Sequence, residues 1–560
     1  LREFVGNLRA GPAALVIEGP AGIGKTNLLK AGLALTDDLT VLRCRPAEGE
    51  RGMAFTGLSD LLGAVAGPHL ESLPPPKRSA LEGALLLNEA PASMANPRAV
   101  AMATLEVVRG LAEISPVLIT VDDLQWIDAS TWLVLRFVAR RLENERVGIL
   151  VAQRGELGEE LFSETDQLAG RSARITLSGL DPDLIDALLR RRLSLRLPRP
   201  TLTRVCNMCD GNPFHALEIG RILKESGQQS VAPERLSIPG GLQELLFARV
   251  GELPVATRRL LVLAAALRRP SGPKLERAFG AGYASNLDRA LRLRILEYSR
   301  DELRFAHPLL RTAVYRSVEE SELRRIHARL ADLVDDEQRA FHLALGTRGP
   351  SAKVAEALSE AAARARRRGA PAEAAELYEQ AADFTLPSDV GRRVAGLISA
   401  GECHFLSGDT KRAKTVLEQV IDEAGDDAAR ALALLQLSRI EWYSDPVAAE
   451  QLLRRAAELN SPEETQSAVL LNLAWSISNQ GKLRDAVAAA ARAHDLALAA
   501  GDSVLAHEAL AAKGGFESIA GDESARANLM RAVEFERSSP VSRWLIEDRP
   551  SHILGIVCLR

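Results

Sequence analysis

GPAGIGKTNLL, residues 19–29, follows directly after the apolar run ALVIE at residues 14–18. Gly19, Gly24, Lys25 and Thr26 fill the pattern G-x-x-x-x-G-K-[ST], in which glycines let backbone N–H groups turn toward phosphate oxygens. A helix that begins near Gly24 would point its positive dipole end at the same place. The stretch therefore predicts a strand, a phosphate-binding loop and a helix, and we favour this over a plain glycine-rich turn.

Each residue type in this loop suits a bound nucleotide. The Lys25 ammonium can reach the β- and γ-phosphates, and the Thr26 hydroxyl can ligate magnesium. We therefore expect ATP or ADP with Mg²⁺ as the cofactor. The expected binding residues are Gly19, Pro20, Ala21, Gly22, Ile23, Gly24, Lys25, Thr26 and Asn27.

A second acidic element is needed to hold the metal, and PVLITVDDLQWID at residues 116–128 supplies one. Apolar β-forming residues lead directly into Asp122 and Asp123. The pattern predicts that Asp122 holds magnesium, directly or through water, and that Asp123 orients or deprotonates the attacking water. The alternative is that the two aspartates only cap a helix.

Two weaker candidates lie farther along the chain. Arg154 ends the next strand, where it could sense the γ-phosphate and stabilise transition-state charge, or could simply be a solvated arginine. Pro213 belongs to a Gly-Asn-Pro turn that can bring the proline ring against a nucleotide, although such a tripeptide by itself is only a turn signal.

Length and composition limit the class of protein. At 560 residues the chain is too long for one hydrophobic core, so we expect three or four domains. The net charge of −4, without a strongly basic segment, disfavours a general nucleic-acid binder. The low aromatic content of 4%, with abundant alanine, leucine, arginine and glutamate, favours a mostly helical protein.

The sequence also indicates a compartment. No apolar run approaches the ~18 residues of a membrane span, and no signal peptide is visible, so we expect no membrane association. Five scattered cysteines suit a reducing cytoplasm. Cys206 and Cys209 form one C-x-x-C without two further ligands nearby, which favours buried helix thiols over a zinc site. Because the chain begins at Leu1 and ends within an apolar stretch, we also expect a fragment.

The first part of the chain alternates strands with helices. Continuous apolar strands separated by helices predict a parallel sheet covered on both faces. ESLPPPKRSALEG, residues 71–83, is expected to be an inserted loop. The candidate strands after ALVIE are TVLRCR (40–45), PVLITVDD (116–123), VGILVAQR (147–154) and ARITLSGL (173–180).

Helices dominate after residue 180. QQSVAPERLSIPGG, residues 228–241, is expected to be a linker, and Leu242, Leu245, Leu246 and Val250 then follow helical spacing. A strand pair is expected within LEYSRDELRFAHP, residues 296–308, which together with the helices predicts a winged-helix module.

The last part of the chain repeats. Alanines recur with a period in the upper thirties, which favours a tetratricopeptide-like helical solenoid over an irregular helical bundle. These alanines are Ala374, Ala413, Ala449, Ala486 and Ala525. We thus predict an α/β P-loop domain, a helical segment, a winged helix and an all-α solenoid at residues 1–180, 181–238, 239–345 and 346–560; the resemblance described next implies that the helical segment is a lid.

Five motifs stand in order along the first 345 residues: GPAGIGKT, VDDLQWID, VAQR, CDGNPF and LRFAHPLLRTAVY. Together they resemble the signal-transduction ATPases with numerous domains, the STAND class, and in particular the large ATP-binding LuxR-type transcriptional regulators. The resemblance implies an AAA-type ATPase, a lid, a winged helix and a tetratricopeptide-like sensor. It further implies that ADP holds a closed monomer, and that ATP with an inducer opens it and permits self-association.

The resemblance also assigns roles to single residues. Arg154 would match the first sensor arginine, and Pro213 would match a proline that packs on the base. His307, in FAHP, stands where related proteins place a winged-helix histidine near the ADP phosphates, although a buried histidine in a hairpin fits as well.

Two features of that family are not visible in this chain. The Gly-Arg-Glu stretch that helps to form the adenine pocket is absent upstream of Leu1, and no helix-turn-helix is seen before Arg560. DNA binding is therefore expected only through a domain beyond this chain. The expected inducer, a small molecule or a protein, would bind the helical repeats.

These features favour a nucleotide-dependent regulatory switch with slow ATP hydrolysis. The alternatives are a remodelling ATPase of the AAA+ type, a scaffold with a structural nucleotide, and the same switch joined to a cyclase or a defence effector. A remodeller would need fast turnover and a stable ring, and intact Lys25 and Asp122 argue against a scaffold.

Overall fold

A computed structural model describes residues 1–34, 38–88, 96–154, 172–225, 242–267, 269–299, 302–334, 336–442, 444–538 and 549–559. The chain divides into two compact units that meet in sequence between Arg348 and Gly349. The first contains the sheet and the segments that follow it, and the second is helical.

A five-stranded parallel sheet forms the centre of the first unit. Its strands are β1 (Ala13–Glu18), β2 (Thr40–Cys44), β3 (Val117–Val121), β4 (Val147–Gln153) and β5 (Ser172–Thr176). Their order across the sheet is β2-β3-β4-β1-β5. All residues of β3 and β4 are buried, as expected for parallel strands covered on both faces. The predicted strands and the predicted parallel sheet are confirmed.

The register of the sheet sets where functional residues can meet. Ile119 on β3 pairs with Ile149 on β4, and Leu15 on β1 pairs with Leu150 on β4. The carboxyl ends of these three strands therefore meet at one edge, although they lie far apart in sequence. Segments that follow β1, β3 and β4 are brought together there.

Helices surround this sheet and continue beyond it. They are α1 (Arg2–Ala10), α2 (Lys25–Leu33), α3 (Thr56–Leu62), α4 (Gly67–Leu70), α5 (Pro75–Ala84), α6 (Pro97–Ile114), α7 (Ala129–Ala139), α8 (Pro182–Leu193), α9 (Arg199–Cys209), α10 (Pro213–Glu225), α11 (Leu242–Gly251), α12 (Val255–Ala266), α13 (Gly272–Phe279), α14 (Tyr283–Arg292), α15 (Pro308–Arg316), α16 (Glu320–Leu330) and α17 (Asp336–Gly346). The antiparallel strands β6 (Leu296–Ser299) and β7 (Glu302–Phe305) lie between α14 and α15.

The loop predicted at residues 71–83 is largely wrong, because helix α5 occupies most of it. Prolines are tolerated in the first turn of a helix, where their missing N–H would have had no intrahelical partner. Downstream of the prolines, Ala80, Leu81 and Ala84 are buried, and the helix packs against α6. The proline run therefore starts a helix instead of ending one.

The segments after the sheet agree with the predicted elements. Leu245, Leu246 and Val250 are buried on α11, and the strand pair lies at β6 and β7. Cys206 and Cys209 are buried on α9, as predicted for helix thiols. The predicted linker at 228–241 lies outside the described residues, and the domain boundaries remain predictions.

The second unit consists of helices that each pack against the next. They are α18 (Ala352–Arg367), α19 (Pro371–Phe384), α20 (Val390–Leu406), α21 (Thr410–Glu423), α22 (Asp427–Glu441), α23 (Pro446–Glu458), α24 (Glu463–Ser478), α25 (Leu483–Ala499), α26 (Ser503–Ala520), α27 (Ala525–Ser538) and α28 (Pro550–Leu559).

Two sequence features explain this helical array. Aspartates accept hydrogen bonds from the first-turn N–H groups of several helices and so fix where those helices begin. These aspartates are Asp389, Asp409, Asp426, Asp445 and Asp502. The five recurring alanines are all buried, so small side chains lie where helices approach closely. The predicted solenoid fold is confirmed. Among the helices of the described ranges, none has an apolar stretch long enough to cross a lipid bilayer.

Candidate functional site

The loop between β1 and α2 has the backbone shape of a phosphate-binding loop. Gly22 and Gly24 have φ angles of 83° and 113°, a region that disfavours side chains. Gly24 directly precedes α2, so the first N–H groups of that helix face the loop. The N-terminus of α2 therefore offers donors and a positive dipole end to an anion.

The ammonium of Lys25 folds back onto this loop. Its Nζ donates to the carbonyl oxygens of Gly19 at 2.6 Å and Pro20 at 2.9 Å, and the side chain is buried. Burial lowers the pKa of Lys25; the charge of Arg154 acts in the same direction, while Asp123 opposes it. Neutral carbonyls are weaker partners for a cation than phosphate oxygens, so the residue fits a phosphate in the loop.

Two oxygen donors for a metal lie side by side. The Thr26 hydroxyl donates to Oδ1 of Asp122 at 3.1 Å, so the strand-end acid and the loop hydroxyl face the same point. Burial raises the pKa of Asp122, and the neighbouring charge of Asp123 acts in the same direction. A hydroxyl and a carboxylate are the hard oxygen ligands that Mg²⁺ prefers. The residues present therefore fit a magnesium ion.

Arg45 adds a cation that the sequence analysis missed. Its Nε lies 3.4 Å from Oδ2 of Asp122. Strand β2 pairs with β3, and Cys44 stands opposite Val121, so the next residue of each strand reaches the same edge. Applying the strand-end rule to TVLRCR as well as to PVLITVDD would have found it. Arg45 partly neutralises Asp122, which is otherwise a buried carboxylate beside another acid.

Asp123 has a fixed orientation. Its φ of 63° lies in the left-handed region, and its Oδ1 accepts a hydrogen bond from Nε2 of Gln125 at 2.9 Å. Oε1 of Gln125 in turn accepts from the backbone N–H of Arg154 at 3.4 Å. Gln125, also missed from the sequence, thereby links the acid after β3 to the end of β4. The guanidinium of Arg154 lies 5.7 Å from the centre of the Trp126 ring.

The Gly-Asn-Pro turn lies directly on the phosphate-binding loop. Nδ2 of Asn212 donates to the carbonyl of Ala21 at 2.8 Å, and the N–H of Phe214 donates to that of Gly22 at 3.4 Å. A Cβ added to Gly22 would lie 2.9 Å from Oδ1 of Asn212 and from Cβ of Phe214, which explains the need for glycine. Pro213 begins α10 and lines the same cavity, while Asn212 makes the side-chain hydrogen bond of this turn to the loop.

His307 closes the loop from another side. Its ring stacks on Phe214 with centroids 3.8 Å apart and planes 13° apart. Its Nδ1 accepts from the N–H of Leu309 at 3.2 Å, which caps α15. The pKa of His307 is lowered to about 3, chiefly by desolvation and further by the positive charges of Arg154 and Lys25. The ring is therefore neutral at pH 7, with its proton on Nε2.

A cavity of about 1270 Å³ joins these groups. Its wall includes the loop from Ala21 to Asn27 together with Arg45, Asp123, Arg154, Pro213, Phe214 and His307. Gly19 and Asp122 contact this wall, because Lys25 donates a hydrogen bond to the carbonyl of Gly19 and Thr26 donates one to Asp122. The sequence-predicted residues are thus brought together, and the roles assigned to them remain predictions.

Comparison with protein families tests the first part of this arrangement. Residues 1–151 match the family model of the AAA ATPase domain. The matched residues contain β1 to β3 and most of β4, the phosphate-binding loop and both aspartates. The predicted AAA-type P-loop core is therefore confirmed, and nucleotide binding is the general property that such a core implies.

Similar solved structures are distant. No curated protein matches the chain significantly. The chain is similar to a STAND protein with a tetratricopeptide repeat sensor from Pyrococcus horikoshii, at 15% identity and a TM-score of 0.42 over 95% of this chain and 82% of that one. It is also similar to a Walker-type ATPase of Pyrococcus abyssi, at 15% identity and a TM-score of 0.29 over 56% and 93%.

The neutral state of His307 predicts a pH dependence of the nucleotide-free chain. Its folded-state pKa of about 3 lies below the ordinary 6.5, so the unfolded chain binds the extra proton first as the pH falls. The free energy of unfolding should then decrease below about pH 6.5, by about 2 kcal/mol from this residue at pH 5.

The measurement is denaturant unfolding of the first unit at pH 7, 6 and 5. Buried His327, whose pKa is lowered to about 4, adds to the slope in the parent chain and in the variant alike. His307→Asn, which keeps a capping side chain, should therefore have a shallower slope, while His69→Asn, at a partly exposed position on α4 of the same unit, should match the parent. Equal slopes for His307→Asn and the parent would contradict a neutral His307 in the folded chain.

Proposed function

We propose that this chain is an ATP-binding signal-transduction switch of the STAND type that hydrolyses ATP slowly. One observation carries the proposal: residues from beyond the sheet close directly on the phosphate-binding loop. Asn212 holds the carbonyl of Ala21, and His307 stacks on Phe214 above Gly22. A change in the ligand of the loop would therefore alter the contacts that the loop makes with the helical segments that follow the sheet.

The residues divide the work of binding. Lys25 would leave the Gly19 and Pro20 carbonyls for phosphate oxygens, and Thr26 and Asp122 would hold Mg²⁺. The bound ATP·Mg²⁺ would supply the phosphoryl group that is transferred to water. Asp123, held by Gln125, would orient that water or accept its proton, and Arg154 would stabilise developing negative charge. Pro213 would border the base.

Neutral His307 gives the switch a sensitive contact. An uncharged ring that feels the charges of Lys25 and Arg154 would donate one hydrogen bond to a phosphate oxygen without adding a third positive charge. The position of this hydrogen bond would therefore let His307 discriminate between a nucleotide with two phosphates and one with three. A ligand shifts a closed–open equilibrium only by the difference in its affinity for the two states, so such a discriminating contact is what a switch needs.

A salt-bridge group joins the segment that follows β2, and helix α3 after it, to a residue that follows α12. Arg269, just after α12, contacts Oε1 of Glu50 at 2.5 Å and Oδ1 of Asp60 at 2.9 Å. Glu50 is buried, and burial raises the pKa of Asp60 despite Arg269. Both acids lie shortly after Arg45, which pairs with Asp122. We call Arg269, Glu50 and Asp60 the latch, and we propose that it holds the closed state.

The finer proposal is that the chain is the regulatory part of a LuxR-type transcriptional regulator. Its support is the five motifs in order along the first 345 residues. In this proposal an inducer binds the helical repeats, the ATP state permits self-association, and DNA is bound through a domain outside this chain. A cyclase or a defence effector attached to the same switch would leave this chain's residues in the same roles.

Nucleotide content and turnover of the purified chain test the proposal. We expect about one tightly held ADP per chain and slow turnover without an added partner. Lys25→Ala should lose nucleotide, because the loop loses its cation, whereas Asp123→Ala should keep ATP bound and lose about 10²-fold or more of the turnover. Fast turnover in the parent would favour the remodelling ATPase, and failure to bind any nucleotide would overturn both functions.

The latch predicts faster release of ADP when it is broken. In Arg269→Ala, Glu50 and Asp60 lose the cation that stabilises them, so the closed state should weaken. Release of a fluorescent ADP should accelerate about tenfold for each 1.4 kcal/mol lost from that state. Asp60→Asn should have a smaller effect in the same direction. Arg277→Ala, at an exposed position on α13, is the matched control, and equal release rates in all four proteins would contradict the latch.

A further inference from the structure

The cavity is larger than one nucleotide needs. Small-molecule sites commonly measure about 300–1,000 Å³, and this one measures about 1270 Å³. Beyond Phe214 and His307 its wall is built by α8, α10, α11, α14 and the turn before β6. We call this part the vestibule. It is lined by segments that follow the sheet, so the phosphate-binding loop contributes none of its residues.

The vestibule is strongly positive. Seven cationic side chains line it, against the acidic side chains of Glu252 and Glu297. The cations are Arg192, Arg221, Lys224, Arg249, Arg289, Arg292 and Arg294. The whole chain has a net charge of −4, so this excess is local and does not reflect composition. A concave wall of one sign concentrates the potential for an oppositely charged ligand.

Some of these cations maintain the wall itself. Arg249 contacts Oε2 of buried Glu218 at 2.7 Å and the carbonyl of Leu293 at 2.6 Å, which ties α11 to α10 and to the end of α14. Arg221 pairs with the same Glu218. These contacts hold α10, α11 and the end of α14 together, and the remaining arginines of the vestibule lie on α8, on α14 or just after α14.

Other cations of the vestibule have no partner among the residues that the structure describes. Arg192 on α8, Arg289 on α14 and Arg294 after α14 make no hydrogen bond or ion pair with any described residue. Arg292 pairs with Asp288, but both side chains are largely exposed, so that pair is weak. The vestibule therefore presents guanidinium groups from α8 and from the end of α14 toward one space. Guanidinium groups match phosphate oxygens in geometry as well as charge.

We propose that the vestibule is a second anion site, which binds a compound with two or more linked phosphates while the loop holds its own nucleotide. Its ligands would come from the lid helix α8 and from α14, two segments that pack in different hydrophobic cores. A polyphosphate that bridges them favours the closed arrangement. The site therefore acts as a regulatory input that is separate from the helical repeats.

The probe is inorganic tripolyphosphate, titrated calorimetrically into the full chain after saturation with ADP and Mg²⁺. We expect one binding event that weakens with salt, because exposed charges carry it. Arg289→Glu with Arg294→Glu should weaken that event about tenfold or more and leave the ADP stoichiometry unchanged, which also shows that the variant folds. Arg277→Glu with Arg316→Glu, at exposed positions outside the cavity, is the matched charge control.

Lys25→Ala separates this site from the nucleotide site. Without any nucleotide, this variant should still bind tripolyphosphate through the vestibule, so failure of the loop to bind ATP would not affect the result. A nonhydrolysable ATP analogue titrated into the same variant identifies the kind of ligand. Tighter binding than that of tripolyphosphate would indicate a second nucleotide as the ligand of the vestibule, and weaker or equal binding would indicate a free polyphosphate.

Three results would overturn the proposal. They are absence of tripolyphosphate binding to the ADP-loaded chain, complete loss of that binding in Lys25→Ala, and an equal loss in the two double variants. The first two would leave only the nucleotide site. The third would mean that the arginines act through general charge and form no site.

Discussion

The parallel pairing of β3, β4 and β1 is the constraint on which the site depends. Each strand delivers one segment to the same edge: the phosphate-binding loop after β1, the aspartate pair after β3 and Arg154 after β4. Hydrogen bonds between the strands fix the register, so these segments cannot shift independently. The functional side chains after β1, β3 and β4 are therefore positioned by buried apolar strands that contain none of those side chains.

The second constraint is the contact between the loop and the lid. Gly22 is glycine because Asn212 and Phe214 lie where its side chain would be. The ring of His307, which caps α15, stacks on the ring of Phe214. The loop, α10 of the lid and the start of α15 are therefore in continuous contact, and we call this arrangement the stack. Half-buried His307 is uncharged and feels the positive charges of Arg154 and Lys25, which makes the stack responsive to negative charge brought by a ligand. This stack is the physical basis of the proposed switch.

Much of this arrangement could be predicted from the sequence. The glycine pattern and the apolar strands identified the loop, both aspartates and the sheet, since these signals are local and periodic. Arg45 was missed because it becomes significant only when β2 is known to lie beside β3. Asn212 and Gln125 were missed because their partners, the Ala21 carbonyl and Asp123, give no sequence signal of their own. The proline run at the start of α5 was misread because the same residue type can end a helix or start one.

Hydrogen exchange of α15 and of residues 48–60 with different bound nucleotides measures whether these segments respond to the phosphates. The backbone amides of α15 and of residues 48–60 are measured with ADP and with a nonhydrolysable ATP analogue, each at saturation. We expect strong protection with ADP and faster exchange with the ATP analogue, because His307 and the latch release their contacts when the phosphates change. Identical exchange in the two states, with nucleotide bound in both, would contradict a switch that works through this stack.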